Sequence, residues 1–131
     1  MHIVRLKKGD RIVATIEAEL DRLKIKAGFL WGLGAISEVE LMVYDLKDKS
    51  YSSKIFKGVF EVTSFSATIT KGVDKPVMIH PHIVISGKDF NCYGGHLKEG
   101  IVAATLEVAI EKSSQKLERY ADKHIGLNLI K

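Results

Sequence analysis

Apolar and polar residues alternate along most of this chain, with the two-residue period of a β-strand that buries one face. The alternation covers residues 2–6, 36–44, 51–57, 59–70, 79–86, 90–97 and 101–112. The run 59–70 is long enough to contain a bulge, which we place near Ser64. Alanines in 101–112 leave a helix open there, but the alternation around Thr105, Glu107 and Glu111 favours a buried strand. The pattern predicts six or seven strands.

One segment has a helical period instead. Between residues 11 and 26, apolar residues recur at spacings of mainly three and four: Ile12, Val13, Ile16, Leu20 and Leu23. Asp10 is placed to cap the start of this helix, and Gly28 to stop it. We therefore expect an α+β fold in a single domain, residues 1–131, with one main helix at about residues 10–26 packed on a mostly antiparallel sheet. Residues 113–131 have no clear period and are assigned no element.

The composition fits a globular protein in a reducing compartment. Hydrophobic residues make up 46% of the 131 residues, and no uncharged apolar run reaches the length of a membrane span. The first residues lack the long apolar stretch of a secretory leader. The single cysteine, Cys92, cannot form a disulfide within the chain. These features predict a cytoplasmic protein without a membrane segment.

The formal charge is +4, from 20 basic against 16 acidic residues. Most of the basic residues are lysines, and they are spread over the whole chain instead of forming a block. Arginines, whose guanidinium groups can pair with base edges in DNA, are scarce. The charge therefore allows at most weak, nonspecific contact with DNA phosphates, and solvated surface lysines are the simpler interpretation.

The segment 28–35 is rich in glycine but does not match a phosphate-binding loop. No Lys-Ser or Lys-Thr follows the glycines, and the segment leaves a helix instead of opening one. We interpret it as a structural turn in which the backbone passes close to a neighbouring segment.

The residues 79–97 contain three of the five histidines. His80 and His82 are two apart in a strand, so they point to the same face at roughly 7 Å. A three-residue loop, either 87–89 or 88–90, would bring His96 to that face, beside His80 or directly opposite His82. A two-residue loop would turn His96 to the other face.

Three neutral imidazoles on one face suit zinc or another divalent metal, with a fourth position open. Cys92 would lie roughly 13 Å from His96 along the strand, too far to share the ion. Glu61, an acidic residue in an otherwise apolar strand, is either solvent-facing or salt-bridged, or it supports the cofactor site as a hydrogen-bond partner of one of the histidines.

Several motifs together resemble the plant and prokaryote conserved (PPC) domain, also called domain of unknown function 296. They are Gly32-Leu33-Gly34-Ala35, Gly58-Val59-Phe60-Glu61-Val62 followed by Ser64, His80-Pro81-His82, and Gly94-Gly95-His96-Leu97 followed by Gly100-Ile101-Val102 and Leu106-Glu107-Val108. The resemblance covers nearly the whole chain. It implies an antiparallel sheet with a flanking helix, a homotrimer, and a metal or small-ligand pocket near a subunit boundary.

The same resemblance implies a link to DNA, because plant relatives join this domain to AT-hook motifs and prokaryotic members are regarded as candidate DNA-binding proteins. An AT-hook needs an Arg-Gly-Arg core, which this chain lacks. Plant members also carry an arginine where this chain has Val59. We therefore weigh two functions: a trimeric binding module, associated with DNA or regulatory partners, and a zinc-dependent enzyme of unknown substrate that uses His80, His82 and His96.

Overall fold

Long antiparallel strands carry most of this chain. The computed structural model describes residues 1–131. In chain order, the elements are β1 (His2–Lys7), α1 (Ile12–Arg22), β2 (Gly28–Asp45), β3 (Ser50–Thr70), β4 (Met78–Ser86), β5 (Cys92–Lys112), β6 (Arg119–Asp122) and β7 (Leu127–Ile130). The predicted α+β class, with six or seven strands and one main helix, is confirmed.

All strand pairings are antiparallel, and the main sheet has the order β1-β5-β2-β3-β4. The first residues of β5 also pair with β4, so β2, β3, β4 and β5 form a closed cycle. Strands β6 and β7, in the segment to which the sequence assigned no element, form a separate two-stranded hairpin. No helix of the chain is long and apolar enough to cross a membrane.

Three strands are longer than the sequence predicts. Residues that interrupt the alternation form bulges within the strands instead of turns between them. Gly58 adopts a φ of +127° inside β3, where the pairing with β2 shifts register, and does not end the strand. The residues 98–100, which lie between the predicted strands 90–97 and 101–112, continue β5. The bulge predicted near Ser64 is confirmed by the register shift between Val62 and Ser64 against β4. Bulges add a residue while the hydrogen-bond ladder continues on either side.

The core lies between the inner face of the sheet and α1. The helix contributes Ile12, Ile16 and Leu20, which are spaced by one turn and almost fully buried. In β4, the odd-numbered residues face this core, among them Ile83 and Ile85. The even-numbered residues of β4 consequently point outward, and these include His80 and His82.

The two ends of α1 differ from the prediction. Asp10 does not cap the helix, because its carboxylate accepts the Lys7 backbone N–H at 2.8 Å. The Glu99 carboxylate takes this role from β5 and accepts the N–H groups of Val13 and Ala14 at 2.8 and 3.2 Å. A negative charge at this position also favours the positive end of the helix dipole.

The helix ends at Arg22, before Lys26, the predicted last residue. Lys24 adopts a φ of +57°, and the Ile25 N–H donates to the Leu20 carbonyl at 2.9 Å. This bond and the left-handed residue form a Schellman-type C-terminus. The helix therefore stops without the help of Gly28, which is already the first residue of β2.

The glycine-rich segment 28–35 is part of strand β2 and not a turn, but the predicted close approach of backbone is confirmed. A Cβ atom on Gly32 would lie 2.6 Å from the Glu107 carbonyl oxygen. One on Gly34 would lie 2.8 Å from the Leu106 Cα atom and closer still to the Thr105 carbonyl. These glycines let β5 pass against β2 without steric conflict.

Replacing Gly34 with alanine should destabilise the protein by about 1–3 kcal/mol, because the added Cβ must displace the β5 backbone. Chemical denaturation monitored by circular dichroism measures the change. Val43→Ala, at an exposed position of the same strand, serves as the control and should cost less than about 0.5 kcal/mol. Equal stability of Gly34→Ala and the wild type would contradict the close packing of β2 against β5.

Candidate metal centre

The three histidines of residues 79–97 come together on the outer face of the sheet. His80 and His82 project from β4, and His96 lies directly opposite His82 in β5. One ring nitrogen from each lies within 4.8 Å of the others. The ring centroids are 5.0 to 5.7 Å apart. The predicted convergence of His80, His82 and His96 on one face is therefore confirmed.

A three-residue loop between β4 and β5 sets this register. The Gly87 N–H donates to the Asn91 carbonyl at 3.1 Å, and the Phe90 N–H donates to the Gly87 carbonyl at 3.0 Å. Phe90 has a φ of +64°, so the loop is a turn that ends in a left-handed residue. Of the two loops that the sequence allowed, the structure has 88–90, which places His96 opposite His82 instead of beside His80.

The surroundings of two of the histidines lower their pKa values. Desolvation lowers the pKa of His80, and the nearby His82 and Arg119 lower it further. Desolvation and the neighbouring His80 and His82 lower the pKa of His96 to about 4. Both imidazoles are therefore neutral at pH 7, the form in which histidine binds a metal ion.

The cluster also contains a polar atom without a partner. The Nδ1 atom of His96 is buried and makes no hydrogen bond within the chain. A buried ring nitrogen is costly unless something satisfies it. Three imidazoles suit a borderline divalent ion such as Zn²⁺, and the exposure of His80 and His82 leaves access for a fourth ligand. The residues present therefore fit a metal ion.

Glu61 is not brought to this cluster. It pairs with Ser86, whereas His82 pairs with Ser66. Ser86 is four positions along β4 from His82, a distance of roughly 13 Å. The register of β3 against β4 thus places Glu61 at the far end of the strand pair.

Cys92 is also outside the cluster, as expected. It lies opposite Ser86 and is exposed, with no disulfide partner in the chain. His2, in β1, and His124, between β6 and β7, are likewise not among the grouped histidines. The candidate ligands are therefore His80, His82 and His96 alone.

Sequence patterns do not reveal Arg119, which lies next to the histidines in the structure. Together with His80 and His96 it lines a cavity of about 490 Å³ between the main sheet and the β6–β7 hairpin. Its Nε and Nη2 atoms donate to Thr70 and Thr68, about fifty residues away in sequence. Contacts between residues so far apart leave no periodic pattern in the sequence. The sequence shows only that Arg119 is an arginine within a polar tail.

The chain matches the family model of the Plants and Prokaryotes Conserved (PCC) domain over residues 1–114. This is the family that the sequence motifs resemble under the abbreviation PPC. A comparison with curated proteins finds no match.

Solved structures share the fold over almost the whole chain. A candidate DNA-binding protein from Bacteroides thetaiotaomicron has a TM-score of 0.92 at 28% identity, covering 98% of this chain and 90% of its own. A metal-containing protein from Archaeoglobus fulgidus has a TM-score of 0.90 at 30% identity, with coverage of 98% and 91%. A plant- and prokaryote-conserved protein from Pyrococcus horikoshii has a TM-score of 0.91 at 23% identity, with coverage of 99% and 90%. The family match and these structures together establish that the chain belongs to the Plants and Prokaryotes Conserved domain family.

Proposed function

We propose that this chain is a metal-binding module that holds one zinc ion, or a similar divalent ion, on His80, His82 and His96. The main support for this proposal is that one ring nitrogen of each of these histidines lies within 4.8 Å of the others. Zinc bonds of roughly 2.0–2.1 Å place tetrahedral nitrogen ligands about 3.4 Å apart. Small side-chain rotations would therefore close the cluster around an ion. The similar Archaeoglobus protein, described as metal-containing, supports the same assignment.

Binding is a better-supported role than catalysis at this centre. A zinc enzyme needs a group that moves protons beside the metal-bound water. The cluster of potential ligands contains no carboxylate, and Glu61 lies at the far end of the β3–β4 pairing. We therefore favour a site that binds a metal and an additional ligand over a zinc-dependent enzyme.

Metal content tests the proposed site. Metal-replete wild-type protein should contain about one zinc per chain by elemental analysis, and the His80→Ala, His82→Ala double variant should contain almost none, because one imidazole cannot retain the ion. The His2→Ala, His124→Ala double variant is the matched control, since it also loses two histidines but keeps the cluster. Equal metal in all three proteins would refute the proposal.

We also propose that the protein assembles as a homotrimer, as the family resemblance implies. The outer sheet face exposes a group of large apolar side chains on β1 and β2: Ile3, Phe29, Trp31 and Leu33. Ala109 of β5 lies between Ile3 and Trp31 in the register, so the group is continuous across three strands. Contiguous apolar surface of this kind is characteristic of protein interfaces. The number of three subunits derives from the resemblance.

Light scattering coupled to size-exclusion chromatography measures the assembly. The wild type should have three times the 14.6 kDa mass of the chain. Trp31→Glu should shift the protein toward the monomer, because it places a charge in the apolar group. Val73→Glu, an equally polar change at an exposed loop residue, should leave the mass unchanged. A monomeric wild type would overturn the proposed assembly.

A second proposed function is weak, nonspecific DNA binding. A cleft of about 500 Å³ at the loop end of β4 and β5 is lined by Lys54, Lys57 and Lys88. Aromatic rings share the cleft, and the Phe56 and Tyr93 ring centroids are 4.8 Å apart. Lysines beside aromatic rings can contact phosphates and stack on unpaired bases. The Bacteroides protein, described as a candidate DNA-binding protein, supports this role.

Fluorescence anisotropy with a short labelled duplex tests this role across a salt series. If the three lysines contact about three phosphates, the affinity for DNA should fall about 40-fold between about 50 and 200 mM salt. Lys54→Gln, Lys57→Gln, Lys88→Gln should weaken binding more than the control Lys7→Gln, Lys8→Gln, Lys112→Gln, which removes the same charge elsewhere. No binding at about 50 mM salt would refute DNA association.

We place the protein in the cytoplasm. Its single cysteine, Cys92, is exposed and has no disulfide partner in the chain. An exposed unpaired thiol is maintained in a reducing compartment.

A further inference from the structure

The cavity beside the histidines has the size and lining of a small-molecule site. Its volume of about 490 Å³ lies within the range of ligand pockets. Leu127, Leu129 and Ile130 of β7 supply one apolar wall, and Met78 of β4 supplies part of another. Five of the eleven residues that line the cavity are polar, and one of them is Arg119, which presents its guanidinium.

Arg119 is a partly buried cation without an acidic partner. Its Nε donates to Thr70 at 3.0 Å, its Nη1 to the Asn128 carbonyl at 2.9 Å, and its Nη2 to Thr68 at 3.1 Å. No carboxylate of the chain forms an ion pair with it. Three of the five guanidinium N–H groups are therefore used, and one on each terminal nitrogen is free.

The acidic residues nearest in sequence are engaged elsewhere. Glu118 pairs with Lys116 at 3.1 Å and with Lys71 at 3.9 Å. Asp122 accepts the backbone N–H groups of His124 and Ile125, both at 2.9 Å. The positive charge of Arg119 consequently remains uncompensated within the chain, which is costly for a desolvated group.

We propose that this cavity binds a small organic carboxylate, with its carboxylate on Arg119 and its apolar body against β7. The two remaining N–H groups can donate to the oxygens of a carboxylate, and the bonds to Thr68, Thr70 and Asn128 hold the guanidinium in place before a ligand arrives. A phosphate dianion fits less well, because Arg119 is the one charged side chain of the lining and the walls are largely apolar.

The ligand would lie next to the proposed metal, since His80 and His96 line the same cavity. The inference therefore extends the proposed metal-binding function by naming the class of the additional ligand. The pairing with Arg119 does not itself require the ion. Carboxylate binding and metal binding can accordingly be measured separately.

Titration of ¹⁵N-labelled protein with hexanoate, followed by NMR, tests the pocket in zinc-loaded and chelator-treated samples. Hexanoate should shift the amide signals of Arg119 and of residues 127–130. Hexylammonium, which has the same chain and the opposite charge, should not shift them. Arg119→Lys should weaken hexanoate binding by at least about tenfold, because lysine cannot make the paired contact, whereas Arg22→Lys on α1 should leave binding unchanged.

Because Arg119 also joins β6 to β3, a second variant separates ligand binding from folding. Leu127→Glu keeps Arg119 and places a carboxylate in the cavity, so it should abolish hexanoate binding while the β6–β7 amide signals remain dispersed. Equal hexanoate affinity in the wild type and Arg119→Lys, or tighter binding of inorganic phosphate than of hexanoate, would overturn the proposal.

The two zinc conditions distinguish failure of the pocket from failure of the metal site. Zinc uptake without hexanoate binding in either sample would refute the carboxylate pocket and leave the metal site. Hexanoate binding by protein that takes up no zinc would support the pocket and refute the metal site.

Discussion

The candidate site depends on the pairing of His82 with His96 across β4 and β5. Side chains alternate between the faces of a strand, so a shift of one residue would move His96 to the inner face and break the cluster. The loop 88–90 prevents that shift by ending in a left-handed Phe90, a conformation that a bulky residue adopts at a cost. Phe90 is 87% exposed, so core packing does not explain its position. The turn geometry therefore sets the register that brings His96 to the other two histidines.

The inner face of the sheet makes this outer site possible. Apolar odd-numbered residues of β4 and the helix residues Ile16 and Leu20 fill the core, which leaves the outer face of β4 free for polar side chains. Glu99 links the sheet to the helix, because it belongs to β5 and its carboxylate binds the first turn of α1. The helix stabilises the sheet from one side, and the histidines occupy the other.

The β6–β7 hairpin changes the environment of the histidines. Arg119 attaches the hairpin to Thr68 and Thr70 of β3, and the Tyr44 hydroxyl donates to the Ile125 carbonyl at 2.6 Å. The hairpin turns an open patch of imidazoles into one side of a cavity with apolar walls. Desolvation lowers the pKa of both His80 and His96, and the hairpin places the cation Arg119 near His80. The proposed metal ligands and the arginine of the proposed carboxylate site thus line one cavity.

The sequence by itself determined the features that depend on local periodicity. These are the α+β class, the helix around Ile16, the shared face of His80 and His82, and the bulge near Ser64, since periods of two and 3.6 residues are properties of neighbouring side chains. Tertiary structure decided the choice between the two loops, the distance of Glu61 from the cluster and the position of Arg119. Those features follow from hydrogen bonds between residues far apart in the chain, and the energies of such pairings are set by the whole sheet and not by any single segment.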